Sequence, residues 1–452
     1  MITYQQQCNK LFAYSAIAAL LVATQLYGEA RNRHSAPSVS KTARVQRQKS
    51  AYRVSHHFHH YKPQQLAHPQ PKATAAQKPW TVLVYMARDN SLSDDGTLNM
   101  NQMMTTNNPN VNILVYDCHK LNGVKEAQKV VITNGKATVL ETTPNVDSGL
   151  EDTFLAACQW ALNDFPSDKV AIIAWDHGSG PLNRSSLFHT MMRGFCYDDT
   201  TGSYLNDVQL MDILNQLVQA RNGKKIDYFG FDACLMADVE ILAALAPYVV
   251  AATASQQTIP GEGYPYDQIF TNLTSSTRVL DFARQIVTAY NNFYASGQES
   301  YTLTAFDLSS VALLNGSINS LSHQLAQMLQ NDSTGAIEAL IAQNTNSFFE
   351  EPTYMDFITF CAALQNNLSQ MNLDSSTQQQ LSAALNACIS SATKIIVSHV
   401  ASNDLSSATG LSIYFPQTIV EPSYEATYFA QQNAWDLFIN QFINGQTSVV
   451  TA

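Results

Sequence analysis

A histidine and a cysteine in this chain stand at the ends of two apolar runs, where their types and neighbours suit nucleophilic chemistry. The run Val170–Trp175 gives way to Asp176-His177-Gly178-Ser179-Gly180, and the run Ile226–Phe231 gives way to Asp232-Ala233-Cys234. A thiol attacks a carbonyl carbon only as the thiolate, and a neighbouring imidazole takes the proton that must leave. The glycine after His177 lets a backbone N–H approach a substrate oxygen closely. The N–H groups of Gly178 and Cys234 are therefore candidates for an oxyanion hole. A helix is expected to start just after Cys234, running through Asp238 and Leu242, with its N-terminal dipole favouring the thiolate. Taken singly, these residues say little. A cysteine behind an apolar strand is commonly a core residue, and a histidine before glycine is commonly structural. Brought together, the pair is chemically sufficient for peptide hydrolysis.

The elements around the pair explain how it would be brought together. Thr81–Ala87, Val111–Tyr116, Val170–Trp175, Ile226–Phe231 and Val249–Ala254 are short continuous apolar runs, the pattern of strands buried on both faces. Helical stretches separate them, including Asp152–Asn163 and Asn206–Arg221. That alternation predicts an α/β fold with a mostly parallel sheet covered on both sides. In such sheets ligand sites lie beyond the carboxyl ends of the strands, which is where His177 and Cys234 fall. The catalytic domain is expected over residues 80–300. Leu303–Leu308 and Leu411–Phe415 read as further strands, and Ile318–Gln330, Thr377–Ala392 and Tyr424–Phe442 as helices. Residues 301–452 thus read as a helix-rich C-terminal extension that completes the fold.

Composition bounds the rest. Of 452 residues 45% are apolar and 13% charged, so a packed core is expected and wholesale disorder is not. Residues 1–28 carry Lys10, the apolar stretch Leu11–Leu26 and then small residues, the pattern of a secretory signal peptide that places the protein outside the cytoplasm, secreted or periplasmic. No stable membrane partner is expected. Residues 29–79 hold few aliphatics and read as a basic linker or propeptide. Ten basic and no acidic residues lie between Arg31 and Lys78, while from Pro79 onward 35 acidic residues face 14 basic ones. An acidic body disfavours nucleic acid and favours a cationic substrate. The patch His56, His57, His59 and His60 reads as part of a soluble basic tail, with metal binding as the alternative. Seven cysteines, no CxxC pair and no dense spacing indicate neither a disulfide scaffold nor a zinc ribbon, although one or two disulfides are compatible with export.

Two segments carry a resemblance. Trp175-Asp176-His177-Gly178 and Gly230-Phe231-Asp232-Ala233-Cys234-Leu235-Met236 resemble the two signature motifs of the clostripain family of cysteine peptidases. Trp80–Ala87, Cys196-Tyr197-Asp198-Asp199, Pro260–Tyr266 and Gly410–Pro416 are similar in the same order. The resemblance implies a caspase-like α/β/α sandwich, a catalytic pair at His177 and Cys234, and hydrolysis of protein or peptide substrates after Arg or sometimes Lys. It also implies that Asp232 is the acidic specificity determinant. Strand geometry agrees, because residues two apart point the same way, and a buried carboxylate there would grip a guanidinium bidentately. The plainer reading of Asp232 is a capping carboxylate. One departure stands at Ser179, where many relatives carry a second glycine.

The resemblance further implies self-cleavage between the histidine and the cysteine, for which Arg184 and Arg193 are the candidate sites. It makes calcium a possible cofactor, with Asp198 and Asp199 among the hard oxygen ligands available, although no spaced ligand loop is visible and the chemistry itself needs no cofactor. Two other readings keep the scaffold: a pocket with different residue specificity, or a catalytically inactive secreted binding protein.

Overall fold

All five apolar runs are strands of one nine-stranded sheet in the order β14-β12-β11-β10-β5-β1-β2-β3-β4. The computed structural model describes residues 77–180, 184–186, 189–192, 194–332, 335–344, 349 and 351–450. The signal-peptide reading and nearly all of the basic-arm reading, like Arg193, lie outside the described residues. The sheet comprises β1 (Lys78–Arg88), β2 (Val111–Leu121), β3 (Val124–Thr133), β4 (Lys136–Pro144), β5 (Ser167–Trp175), β10 (Ile226–Asp232), β11 (Val249–Ala254), β12 (Thr302–Asp307) and β14 (Ile396–Ala401). Its centre, β2-β1-β5-β10-β11, is parallel. Antiparallel pairs close both sides, β3 with β4 beyond β2 and β12 with β14 beyond β11.

Alternation along the central strands builds two cores. Leu83, Tyr85, Ile172, Phe229 and Phe231 face one layer of helices: α2 (Glu151–Asp164), α3 (Asp207–Ala220), α4 (Val239–Leu245), α7 (Val311–Asn331), α8 (Ala336–Gln343), α9 (Phe357–Asn366), α10 (Ser375–Ile395), α11 (Tyr428–Gln432) and α12 (Trp435–Val450). Val82, Val84, Met86, Ile173 and Tyr228 face the other layer: α1 (Ser93–Met104), α5 (Tyr266–Thr271) and α6 (Val279–Tyr294). Neighbouring residues on a strand point to opposite faces, so each all-apolar run feeds both layers. The result is an α/β/α sandwich. The segment after residue 301 supplies β12 and β14 to the same sheet as well as its helices.

One sequence expectation is corrected, and further strands are added to the reading. The hairpin β3–β4 and the strand β14 are missing from the sequence reading. Strand β4 is exposed at almost every position and β14 is only half-buried, so neither forms an apolar run. The stretch Leu411–Phe415 is a strand as expected, β15 (Ser412–Tyr414), and it pairs with β13 (Tyr354–Asp356) outside the main sheet. The expected single helix Tyr424–Phe442 is broken into a short turn, α11 and α12, with Thr427 capping α11 and Asn433 in extended backbone between the two helices.

Candidate active site

Parallel pairing of β5 with β10 sets Trp175 against Asp232. The ladder continues one step further through Asp176 N–H donating to Asp232 C=O at 3.2 Å. His177 and Cys234 therefore leave adjacent strands at equivalent positions, each two residues past that register pair. Both lie at the carboxyl end of the sheet, beside the point where the strand order reverses between β1 and β5. The structure brings Gly178 to the same place. A Cβ on Gly178 would fall on the Cys234 carbonyl oxygen and 3.0 Å from its nitrogen, so only glycine fits. Gly178 bridges Phe195 through Ser179 N–H donating to Gly194 C=O at 3.1 Å, which does not consume the Gly178 N–H.

The expected helix directly after Cys234 is absent. Leu235 adopts φ +61°, a left-handed conformation costly for leucine. The chain then runs extended, with Leu235 N–H bonded to Gln257 C=O and Ala237 N–H to Ser255 C=O. Helix α4 starts only at Val239, capped by the Asp238 side chain. The thiol is served by a different group: Ile259 N–H donates to Cys234 Sγ at 3.2 Å, and such a donor favours the thiolate as a helix dipole would.

His177 is held by a loop the sequence reading did not implicate. Ser91, between β1 and α1, hydrogen-bonds His177 Nε2 at 2.9 Å. The side chain of its neighbour Asn90 donates to Ala87 C=O, to Asp176 Oδ1 at 2.6 Å and to Tyr197 C=O. Asp176 also accepts the Tyr197 N–H and the backbone N–H of His177. It secures the histidine's backbone rather than its ring. Burial pushes the His177 imidazole below its ordinary value, partly offset by Asp199 and Asp95, and so keeps it neutral, with a ring nitrogen able to accept a proton. No sequence pattern marks Ser91, because its role comes from two strands that meet only in the folded sheet. Ser179, the departure from the family pattern, bonds the Tyr197 hydroxyl at 2.7 Å and accepts from Gly194 N–H. A serine at this position thus ties down the loop that follows the histidine.

Asp232 is 4% exposed. One carboxylate oxygen accepts the Tyr264 N–H at 3.1 Å and the Tyr266 hydroxyl at 2.8 Å. Gly263, at φ +64°, lies against it, and a Cβ there would come within 2.8 Å of the carboxylate. The segment Pro260–Tyr266 is therefore the wall behind Asp232. Burial raises the Asp232 carboxyl to about 7 despite these two donors. Among the described residues no ion pair neutralises it.

Asp198 is engaged by a side chain from strand β3 of the sheet. Asp198 binds the Lys125 ammonium and accepts from Ser148 and Thr201, while Lys125 also contacts Asp89 at 2.8 Å. An internal cation thus occupies Asp198, one of the two carboxylates named as candidate calcium ligands. Among the described residues no group of three or more His, Cys, Asp or Glu side chains is placed to share a metal. Arg184 opens the short strand β6 (Arg184–Ser186), which pairs with β7 (His189–Met192) in the segment between the histidine and the cysteine. Among the described residues no disulfide joins any of the six cysteines.

The pattern defining the clostripain family matches residues 84–442. The chain belongs to the clostripain family of cysteine peptidases. Its fold is that of solved relatives: an inactive zymogen C11 protease from Parabacteroides distasonis (19% identity, TM-score 0.59) and a secreted C11 cysteine protease from Bacteroides thetaiotaomicron in complex with an irreversible peptide inhibitor (19% identity, TM-score 0.57). In each case the match covers 79% of this chain and 99% of the relative. No curated protein matches the sequence. No described helix is long and apolar enough to cross a membrane.

Proposed function

We propose that this clostripain-family peptidase is a secreted endopeptidase that hydrolyses peptide bonds after Arg, and less readily after Lys, through Cys234 and His177. The observation that carries the specificity is Asp232, a buried carboxylate with no described cation beside it, at the same sheet end as the dyad. Charge is costly there unless a partner arrives with the substrate, and a guanidinium supplies that partner with two parallel N–H donors.

In the proposed reaction Ser91 accepts the Nε2–H of His177 and leaves Nδ1 to take the Cys234 proton. The thiolate attacks the carbonyl carbon, and the oxyanion that forms accepts from the N–H groups of Gly178 and Cys234. His177 returns the proton to the leaving amine as the C–N bond breaks, giving a thioester and the first product. Water, deprotonated by His177, then hydrolyses the thioester and restores the thiol. Self-cleavage after Arg184 or Arg193 is the same reaction on the chain's own segment, with an N-terminal signal peptide directing export.

A cleavage-site profile of the purified protein on a peptide library tests the reading, with labelling of Cys234 by an Arg-chloromethylketone. Cleavage confined to bonds after Arg and Lys is expected. Cleavage after other residues would assign a different pocket, and a thiol that is not labelled would make the chain an inactive binding protein. Identical fragments from wild type and Cys234→Ala on a denaturing gel would rule out self-cleavage.

A further inference from the structure

Tyr290 on α6 is fully buried, and its hydroxyl has no hydrogen-bond partner. Leaving such a group unmade costs the full desolvation of the hydroxyl, and buried polar atoms in folded proteins are otherwise nearly always paired. Its aromatic neighbours all have partners. The Tyr264 hydroxyl donates to Phe231 C=O, Tyr266 to Asp232, Tyr294 to Gly263 C=O and Tyr301 to Asn291. Tyr290 packs among them, with ring centroids 4.7 Å from Tyr294, 5.7 Å from Tyr301 and 6.0 Å from Tyr264. Two of the rings it touches are themselves fixed at Asp232: the Tyr264 N–H donates to the carboxylate, and the Tyr294 hydroxyl donates to Gly263, which lies against it. The orphan thus belongs to the tyrosine-lined wall behind Asp232.

We infer that the Tyr290 hydroxyl is a specificity-determining acceptor that takes a third N–H of the substrate guanidinium after Asp232 has taken two. The inference rests on the Asp232 reading and names which cation the pocket prefers. A guanidinium carries five N–H donors in a rigid plane, so it can fork onto a carboxylate and reach a separate phenol oxygen at once. An ammonium is a compact point charge on a different stem and cannot span both in that way. Tyr290 therefore separates Arg from Lys, whereas Asp232 selects for charge.

The test compares wild type, Tyr290→Phe and Asp232→Asn on matched fluorogenic peptides with Arg or Lys at the cleaved bond. Phenylalanine removes only the orphaned oxygen, so the melting temperature of Tyr290→Phe should stay level or rise. Its kcat/KM should fall about tenfold or more for Arg and less than threefold for Lys, in line with a hydrogen bond to a charged group. An Arg-to-Lys ratio unchanged within twofold, with Asp232→Asn inactive on both peptides, overturns the role of Tyr290 and leaves the Asp232 reading standing. Asp232→Asn that still prefers Arg overturns both. A marked drop in melting temperature for Tyr290→Phe would reveal a structural partner for the hydroxyl and also overturn the inference.

Discussion

Replacing Asp232 by Asn should make the protein more stable as it disables it, and the gain should depend on pH in a defined way. In the folded chain the Asp232 carboxyl is raised from 3.8 to about 7 because burial disfavours its charge more than Tyr264 and Tyr266 restore it. The folded state therefore holds a proton that the unfolded chain has already released between those values. Stability from this group is complete below pH 4 and is lost as pH rises through 7. That rise from 3.8 to about 7 corresponds to a loss of roughly 4 kcal/mol at pH 8. Asparagine is neutral throughout and its oxygen can still accept from both tyrosines, although its amide group needs an acceptor of its own. The variant should thus match wild type within about 1 kcal/mol near pH 4 and exceed it by up to ~4 kcal/mol at pH 8. Urea unfolding at both pH values, in a Cys234→Ala background that prevents self-cleavage, measures the difference. Removing the charge should also cost about 3 kcal/mol of substrate binding, near a hundredfold in kcat/KM for Arg peptides. An equal gap between variant and wild type at pH 4 and pH 8 would refute the argument, because it would mean that Asp232 is not held against its charge.

Ser91→Ala should lower kcat about tenfold with KM nearly unchanged, and Ser91→Thr should restore it, since the hydroxyl orients His177 without touching substrate. Gly178→Ala should abolish turnover, because the added methyl meets the Cys234 backbone; steady-state assays with circular dichroism separate this from misfolding. Lys125→Met should destabilise the fold by about 3–5 kcal/mol, because Asp89 and Asp198 would keep buried charges without their ammonium, as chemical denaturation at neutral pH would show.

The sequence by itself determined the central strands, the two strand ends that carry His177 and Cys234, and the family. Buried parallel strands need apolar residues on both faces, and that need writes itself as continuous runs. The chemistry that follows each run can then be placed from the run alone. Elements whose positions are settled by neighbours left no such mark. Strands β4 and β14 lie at the two edges of the sheet, so their residues are exposed or half-buried. The turn after Cys234 is decided by Leu235 and Ala237 bonding to the Ser255–Gln257 backbone, which overrides the helix suggested by the residues that follow. Only the tertiary structure decided the contacts that tune the site. Ser91 meets His177 because β1 lies beside β5, and Tyr290 joins the wall behind Asp232 because α6 packs on that face. A hydrogen bond between residues far apart in the chain depends on where two elements end in space, and a local residue pattern does not encode that.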